Sequence, residues 1–249
     1  MADTVVETPH APAGHHALAK PHHRDVQGGA ARAAVFGMSD GLLTNISLIL
    51  GVVGATPNSA FVRLAGLAGL VAGAFSMAAG EYVSVSAQSE LLQRELDLER
   101  RELERHPEAE TRELATVFER RGVEHADALR LAQAVMADPE VALEVHAREE
   151  LGVRPGKTGS PWQAAAASFV TFAIGALIPL VPWFFTGGSL AVSLSIALGV
   201  VSVVAVGWTV ALFTDRSPAR TALRQLLFAT VAATVAFAVG RAVGVTTTI

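Results

Sequence analysis

Two groups of carboxylates stand where a cation could use them. Asp40 and Glu81 are each the lone acidic residue of a long apolar stretch, residues 33–56 and 64–87. An ionised carboxylate in such surroundings costs several kcal/mol, so each needs a compensating role. At helical spacing Gly37, Asp40, Thr44, Ser47, Gly51 and Gly54 share one face, and Gly66, Gly69, Gly73, Met77, Glu81 and Ser84 share another. Both faces are small and polar, suited to close backbone approach or to lining a hydrated path. Asp40 lies eight residues after Arg32, and Glu81 seven before Gln88. Antiparallel neighbours would therefore carry the two carboxylates at one depth, roughly 11–12 Å inside the boundary. Two carboxylates beside the Met77 thioether suit a dehydrated Fe²⁺ or Mn²⁺ better than Mg²⁺, which keeps its waters.

The second group is charged throughout. Glu90 with Arg94 and Asp97 with Arg101 are spaced as exposed ion pairs. Glu95, Glu99 and Glu102 differ, because their four-on neighbours are Glu99, Leu103 and His106. Like charges at that spacing cost about 0.2–0.5 kcal/mol per pair, a strain that a bound cation relieves. Glu110 and Glu113 form a further Glu-x-x-Glu pair, and His146 with Glu150 an i,i+4 pair. Helices packed as a small bundle could gather these pairs as carboxylate-bridged metal sites do. His106 and His125 are expected at the surface.

The elements that must position these groups follow from composition. The chain has 249 residues, 51% hydrophobic and 17% charged. Between residues 88 and 160 lie 17 of the 23 acidic and 11 of the 19 basic residues. Elsewhere, stretches 33–56, 64–87, 162–185, 189–213 and 225–245 are long and apolar enough to cross a bilayer, which takes roughly 20 residues. The expected fold is an all-α membrane protein with five transmembrane helices and a cytoplasmic helical metal-binding domain between the second and third. Residues 1–27 read as a disordered tail holding His10, His15, His16, His22 and His23, able at most to collect metal loosely. Residues 28–87 hold the first two spans, 88–160 the charged domain and 161–249 the last three spans.

No Gly or Pro interrupts residues 81–106, so the second span is expected to continue as one rod about 27 Å beyond the membrane. Pro107 then starts a helix that Gly122 ends, another runs over about 124–136, and Asp138-Pro139 opens a fourth. A Gly/Pro-rich connection over 153–161 returns to the bilayer. Basic residues before the first span and between the fourth and fifth place the N-terminus and the charged domain in the cytoplasm and the C-terminus outside, in what reads as a bacterial plasma membrane. The glycines of the first span are expected to form a dimer face.

Several functions are excluded or weakened. The chain has no cysteine, which removes thiolate metal sites and thiol nucleophiles, and a formal net charge of -4 gives no sign of nucleic acid binding. Gly152 to Gly156-Lys157-Thr158 is one residue short of a phosphate-binding loop and follows a helix instead of a strand. No Ser/His/Asp arrangement suggests a hydrolase, so neither an enzyme nor a catalytic cofactor is expected.

Phe36-Gly37-Met38-Ser39-Asp40-Gly41-Leu42-Leu43-Thr44-Asn45 and Ser76-Met77-Ala78-Ala79-Gly80-Glu81-Tyr82 resemble the first- and second-span signatures of the vacuolar iron transporter family. The Glu-rich helices, the Pro107-Glu108 break and the ending Glu149-Glu150-Leu151-Gly152 are similar too, so the resemblance covers about residues 24–245. It implies a five-span homodimer that exchanges cytoplasmic Fe²⁺ or Mn²⁺ for protons, protecting the cytoplasm from excess metal. By position it makes Asp40 and Met77 pathway ligands, and Glu99, Glu102, Glu110, Glu113 and Glu150 cytoplasmic ligands. Thr44 and Glu81 join the pathway, and His146 the cytoplasmic set, on the spacing arguments above. The chain departs from the family in two places: His146-Ala147 stands where eukaryotic relatives carry a Met pair, and Gly69 where they carry a deeper acid. The alternative reading is a membrane-anchored ferroxidase-like or metal-sensing protein that does not transport.

Overall fold

The computed structural model describes residues 29–56, 58–150, 152, 159–214 and 216–247. The expected tail at 1–27, with its histidines, and most of the expected connection at 153–161 lie outside the described residues. Among those described, every regular element is a helix: α1 Gly29–Ala55, α2 Ser59–Arg105, α3 Pro107–Arg120, α4 His125–Met136, α5 Pro139–Glu149, α6 Pro161–Leu180, α7 Pro182–Phe185, α8 Gly188–Thr214 and α9 Pro218–Thr247. Five of them, α1, α2, α6, α8 and α9, are long and apolar enough to cross a membrane. Large apolar side chains such as Phe75, Val83, Phe185, Leu212 and Leu223 point outward, as a bilayer-facing surface requires.

The expected breaks recur, each with its local cause. Helix α2 runs unbroken through its apolar half and its charged half. Pro107 occupies the first turn of α3, where its missing N–H costs nothing, and Gly122 follows with φ 93°, a left-handed conformation that releases the chain. Asp138 caps α5 by accepting hydrogen bonds from the backbone N–H groups of Glu140 and Val141. The third span differs from the expected continuous stretch 162–185, because the helix breaks at Val181 into α6 and α7. Pro182 cannot donate to the preceding turn. The break is locked from α8: Trp183 Nε1 donates to Ser195 Oγ at 2.9 Å, and Ser195 Oγ donates to the Pro179 carbonyl at 2.7 Å.

Helix α1 packs against α2, α6, α8 and α9. Glycines make this possible. A Cβ on Gly41 would collide with the Phe172 carbonyl, and one on Gly240 of α9 with the Gly51 carbonyl. Gly37 likewise lies against Ser168 and Thr171 of α6, and Gly54 against Phe237. This corrects the expectation that Gly37, Gly51 and Gly54 form a face for a second copy. They are consumed within one chain, since backbone approach to α6 and α9 leaves no room for another helix. Asn45, 1% exposed, ties α1 to α6 by donating to the Ala176 carbonyl at 2.5 Å.

Beyond the apolar half of α2, helices α3, α4 and α5 form a small bundle with a core of Leu114, Ala115, Ala128 and Ala132, flanked by Phe118 and Val145. An ion pair of Arg121 with Glu149 clamps the end of α3 to the end of α5. Helix α5 also packs on α2, which brings the last turn of α5 over the charged half of the rod.

Candidate metal centre and membrane cavity

Three helix ends converge on one buried imidazole. His146, in the last turn of α5, is 1% exposed. Its Nδ1 lies 3.1 Å from Glu99 Oε1 of α2, 3.7 Å from Glu110 Oε2 of α3 and 3.2 Å from Glu150 Oε1. One ligand atom from each of the four lies within 4.8 Å of all the others. Local sequence explains each position. Glu110 sits in the first turn of α3, where the helix dipole favours a carboxylate, and His146 in the last turn of α5, where it favours a cation. Glu99 projects from a rod that needs no turn to reach them.

The group is under electrostatic strain. The Glu99 carboxyl is raised to about 7, first by burial and next by the Glu150 charge, with His146 opposing and Glu110 and Glu113 adding to the rise. Glu110 is raised as well, first by burial, with His146 opposing and Glu113, Glu150 and Glu102 adding. Glu99 Oε1, although 3.1 Å from His146 Nδ1, makes no well-aligned hydrogen bond, and His146 Nε2 is buried with none. Buried polar atoms are ordinarily paired, so carboxylates gathered around a histidine with unpaired buried atoms fit the donor set of a divalent ion. Oxygen donors with one imidazole suit Mn²⁺ or Fe²⁺.

Of the expected cytoplasmic residues, the structure gathers Glu99, Glu110, His146 and Glu150. Glu113 is exposed and Glu102 is about half exposed, both at the rim, close enough for their charges to act on the buried carboxylates. Glu102 instead faces His106, with 3.9 Å between Oε2 and Nε2. His106 and His125 are exposed as expected, and His125 contacts Glu119. The Asp97 pair forms with Arg100 instead of Arg101, one residue closer in sequence.

In the spans, Asp40, Thr44, Met77 and Glu81 all line one cavity of about 370 Å³ between α1, α2 and Phe172 of α6. The Thr44 hydroxyl donates to Asp40 Oδ1 at 3.4 Å. Gly69 is not on its wall; it faces Leu48 and Asn45. By sequence, Arg32 reads only as a charge flanking the first span. The structure pairs its guanidinium with Glu81 at 2.9 Å, and Glu81 is buried. The i,i+4,i+8 spacing of Arg32, Phe36 and Asp40, all lining the cavity, is the signal that places Arg32 there.

Five membrane-crossing helices, a polar cavity among them and a carboxylate–imidazole cluster on an attached helical bundle define a multi-pass membrane protein with a candidate site for a divalent cation. Residues 31–241 match the model of the VIT family. The chain is 31% identical to vacuolar iron transporter 1 of Eucalyptus grandis over 213 residues, covering 85% of this chain and 86% of the relative. It is 39% identical to the vacuolar iron transporter of Acanthamoeba castellanii over 170 residues, 66% of this chain and 61% of the relative. With vacuolar iron transporter 1 of Arabidopsis thaliana the identity is 28%, over 89% of this chain and 90% of the relative. The chain belongs to the VIT family.

Proposed function

We propose that the protein is a proton-coupled exporter of Fe²⁺ or Mn²⁺ from the cytoplasm, and not an enzyme. The observation that carries this reading is the cavity among the spans, where Asp40, Thr44, Met77 and Glu81 meet. A membrane anchor needs no carboxylates there. The names of the relatives support iron as cargo. In this reading the bundle of α3–α5 is a cytoplasmic metal-binding domain, and Glu99, Glu110, His146 and Glu150 are its ligands. Glu102 and Glu113 draw cations toward it. The protein works as a homodimer in a bacterial plasma membrane, N-terminus inside and C-terminus outside. With the glycine faces used internally, the dimer contact falls on the outward surfaces of α1 and α2 beside the cavity.

Metal gathered at the cluster passes to the cavity, where Asp40 trades a proton for the cation and Met77 contributes a soft donor. Glu81 becomes available when the cation displaces Arg32. The test is Mn²⁺ or Fe²⁺ movement in sealed vesicles of defined protein orientation under an imposed pH gradient. Wild-type protein is expected to move metal from the cytoplasmic face, dependent on the gradient, and Asp40→Asn to abolish transport while keeping its helical content. Wild-type rates in Asp40→Asn would defeat the assignment.

A further inference from the structure

A second polar cavity lies at the turn between α8 and α9. It measures about 540 Å³ and is lined by Arg216, Arg220 and Arg224 with Thr214, Ser217 and Thr221. Among the described residues, none of these three arginines has a carboxylate partner. Three guanidiniums around one cavity, with no carboxylate paired to them among the described residues, repel one another. An anion removes that cost. The Thr214 and Thr221 hydroxyls already donate to the Val210 and Ser217 carbonyls, so the guanidiniums are the principal donors. Their planar forks match phosphate oxygens in pairs. Helix α9 starts at Pro218, and its positive end adds to the same field.

The surroundings identify the kind of phosphate. The apolar part of α8 ends at Leu212 and that of α9 begins after Arg224, so the cavity stands at a membrane boundary. Leu212 on α8 and Leu227 and Phe228 on α9, about one turn or less into the apolar stretches from it, are exposed. A ligand with a phosphate at one end and hydrocarbon at the other meets both surfaces. By the antiparallel succession of spans, this boundary is the one from which the α3–α5 bundle projects. We propose that the α8–α9 turn is a binding site for the headgroup phosphate of an anionic phospholipid. The site is independent of the metal cluster and stands whether or not the protein transports metal.

The test uses the full chain in detergent, with native mass spectrometry counting bound lipid after exposure to phosphatidylglycerol, to phosphatidylcholine or to inorganic phosphate. Wild-type protein is expected to retain phosphatidylglycerol over phosphatidylcholine, and Arg220→Gln with Arg224→Gln to lose about thirtyfold of that preference, the share of two surface cations. All three arginines are exposed, so the helices should form without them; helical content and Tm check this, and Arg216→Gln alone provides a milder variant with a smaller loss. An unchanged preference in the folded double variant would overturn the proposal. So would saturation of the site by inorganic phosphate with no preference between the two lipids, which would make it a site for a soluble anion.

Discussion

The raised carboxyl of Glu99 sets how the cluster responds to acidity. A metal competes with protons for each ligand, so the apparent affinity falls by a factor of one plus the ratio of proton concentration to the acid dissociation constant. With the Glu99 pKa at about 7, that factor is about 30 at pH 5.5 and close to 1 at pH 8. Glu99 alone should thus weaken Mn²⁺ binding about thirtyfold across this range, and Glu110, also raised, steepens the fall. Titration of the full chain in detergent with Mn²⁺, followed by calorimetry at intervals of pH, measures the slope. Glu99→Gln should bind more weakly at pH 8 and lose that share of the slope. Without metal the sign reverses for stability. The folded state holds a proton on Glu99 that the unfolded chain, with its carboxyl near 4.5, has released. Stability from this group is therefore full below about 4.5 and is lost as pH rises to about 7, so saturating Mn²⁺ should raise Tm more at pH 8 than at pH 5.5. An identical slope in wild-type and Glu99→Gln would refute the reasoning.

The Arg32–Glu81 pair should show in a double-mutant cycle: Glu81→Gln is expected to recover most of the Tm lost in Arg32→Gln, with a coupling of about 1 kcal/mol, held low because Arg32 is 61% exposed. Additive Tm losses would show that the two groups act separately. At the cluster, Glu110→Ala should weaken Mn²⁺ binding by about tenfold or more and Glu102→Ala by only a few-fold, since one is gathered around His146 and the other lies at the rim. Calorimetry reads both, and equal losses would mean that rim and centre are one site.

Most of the elements were legible because their signals are local. Apolar length marks a span, and Pro107, Gly122 and Asp138 mark breaks through the chemistry of their own backbone. Contacts between helices were not. Glu99 and Glu102 lie on one acidic stripe, and only the docking of α5 decides that Glu99 turns inward. The glycine face of α1 was visible, but not that α6 and α9 would fill it. The partner of Glu81 was hidden for the same reason, lying 49 residues away on α1.

One relation needs both kinds of information. Helix α2 is continuous from Ser59 to Arg105, so Glu81 and Glu99 are held in rigid phase. Eighteen residues are five full turns, which sets the two on the same face about 27 Å apart. If an ion gathered by the cluster follows that face to the cavity, its path depends on phase as well as distance. Inserting one alanine between Ala87 and Gln88 turns the cluster by about 100° relative to the cavity, while inserting seven returns it to within about 20° at the cost of some 10 Å. Both insertions leave the bundle's own contacts intact, so Mn²⁺ binding should be unchanged in each. Transport into vesicles should fall sharply with one inserted residue and recover in large part with seven. A monotonic loss with insertion length would mean that separation, and not the alignment of one helix face, governs the passage of the ion.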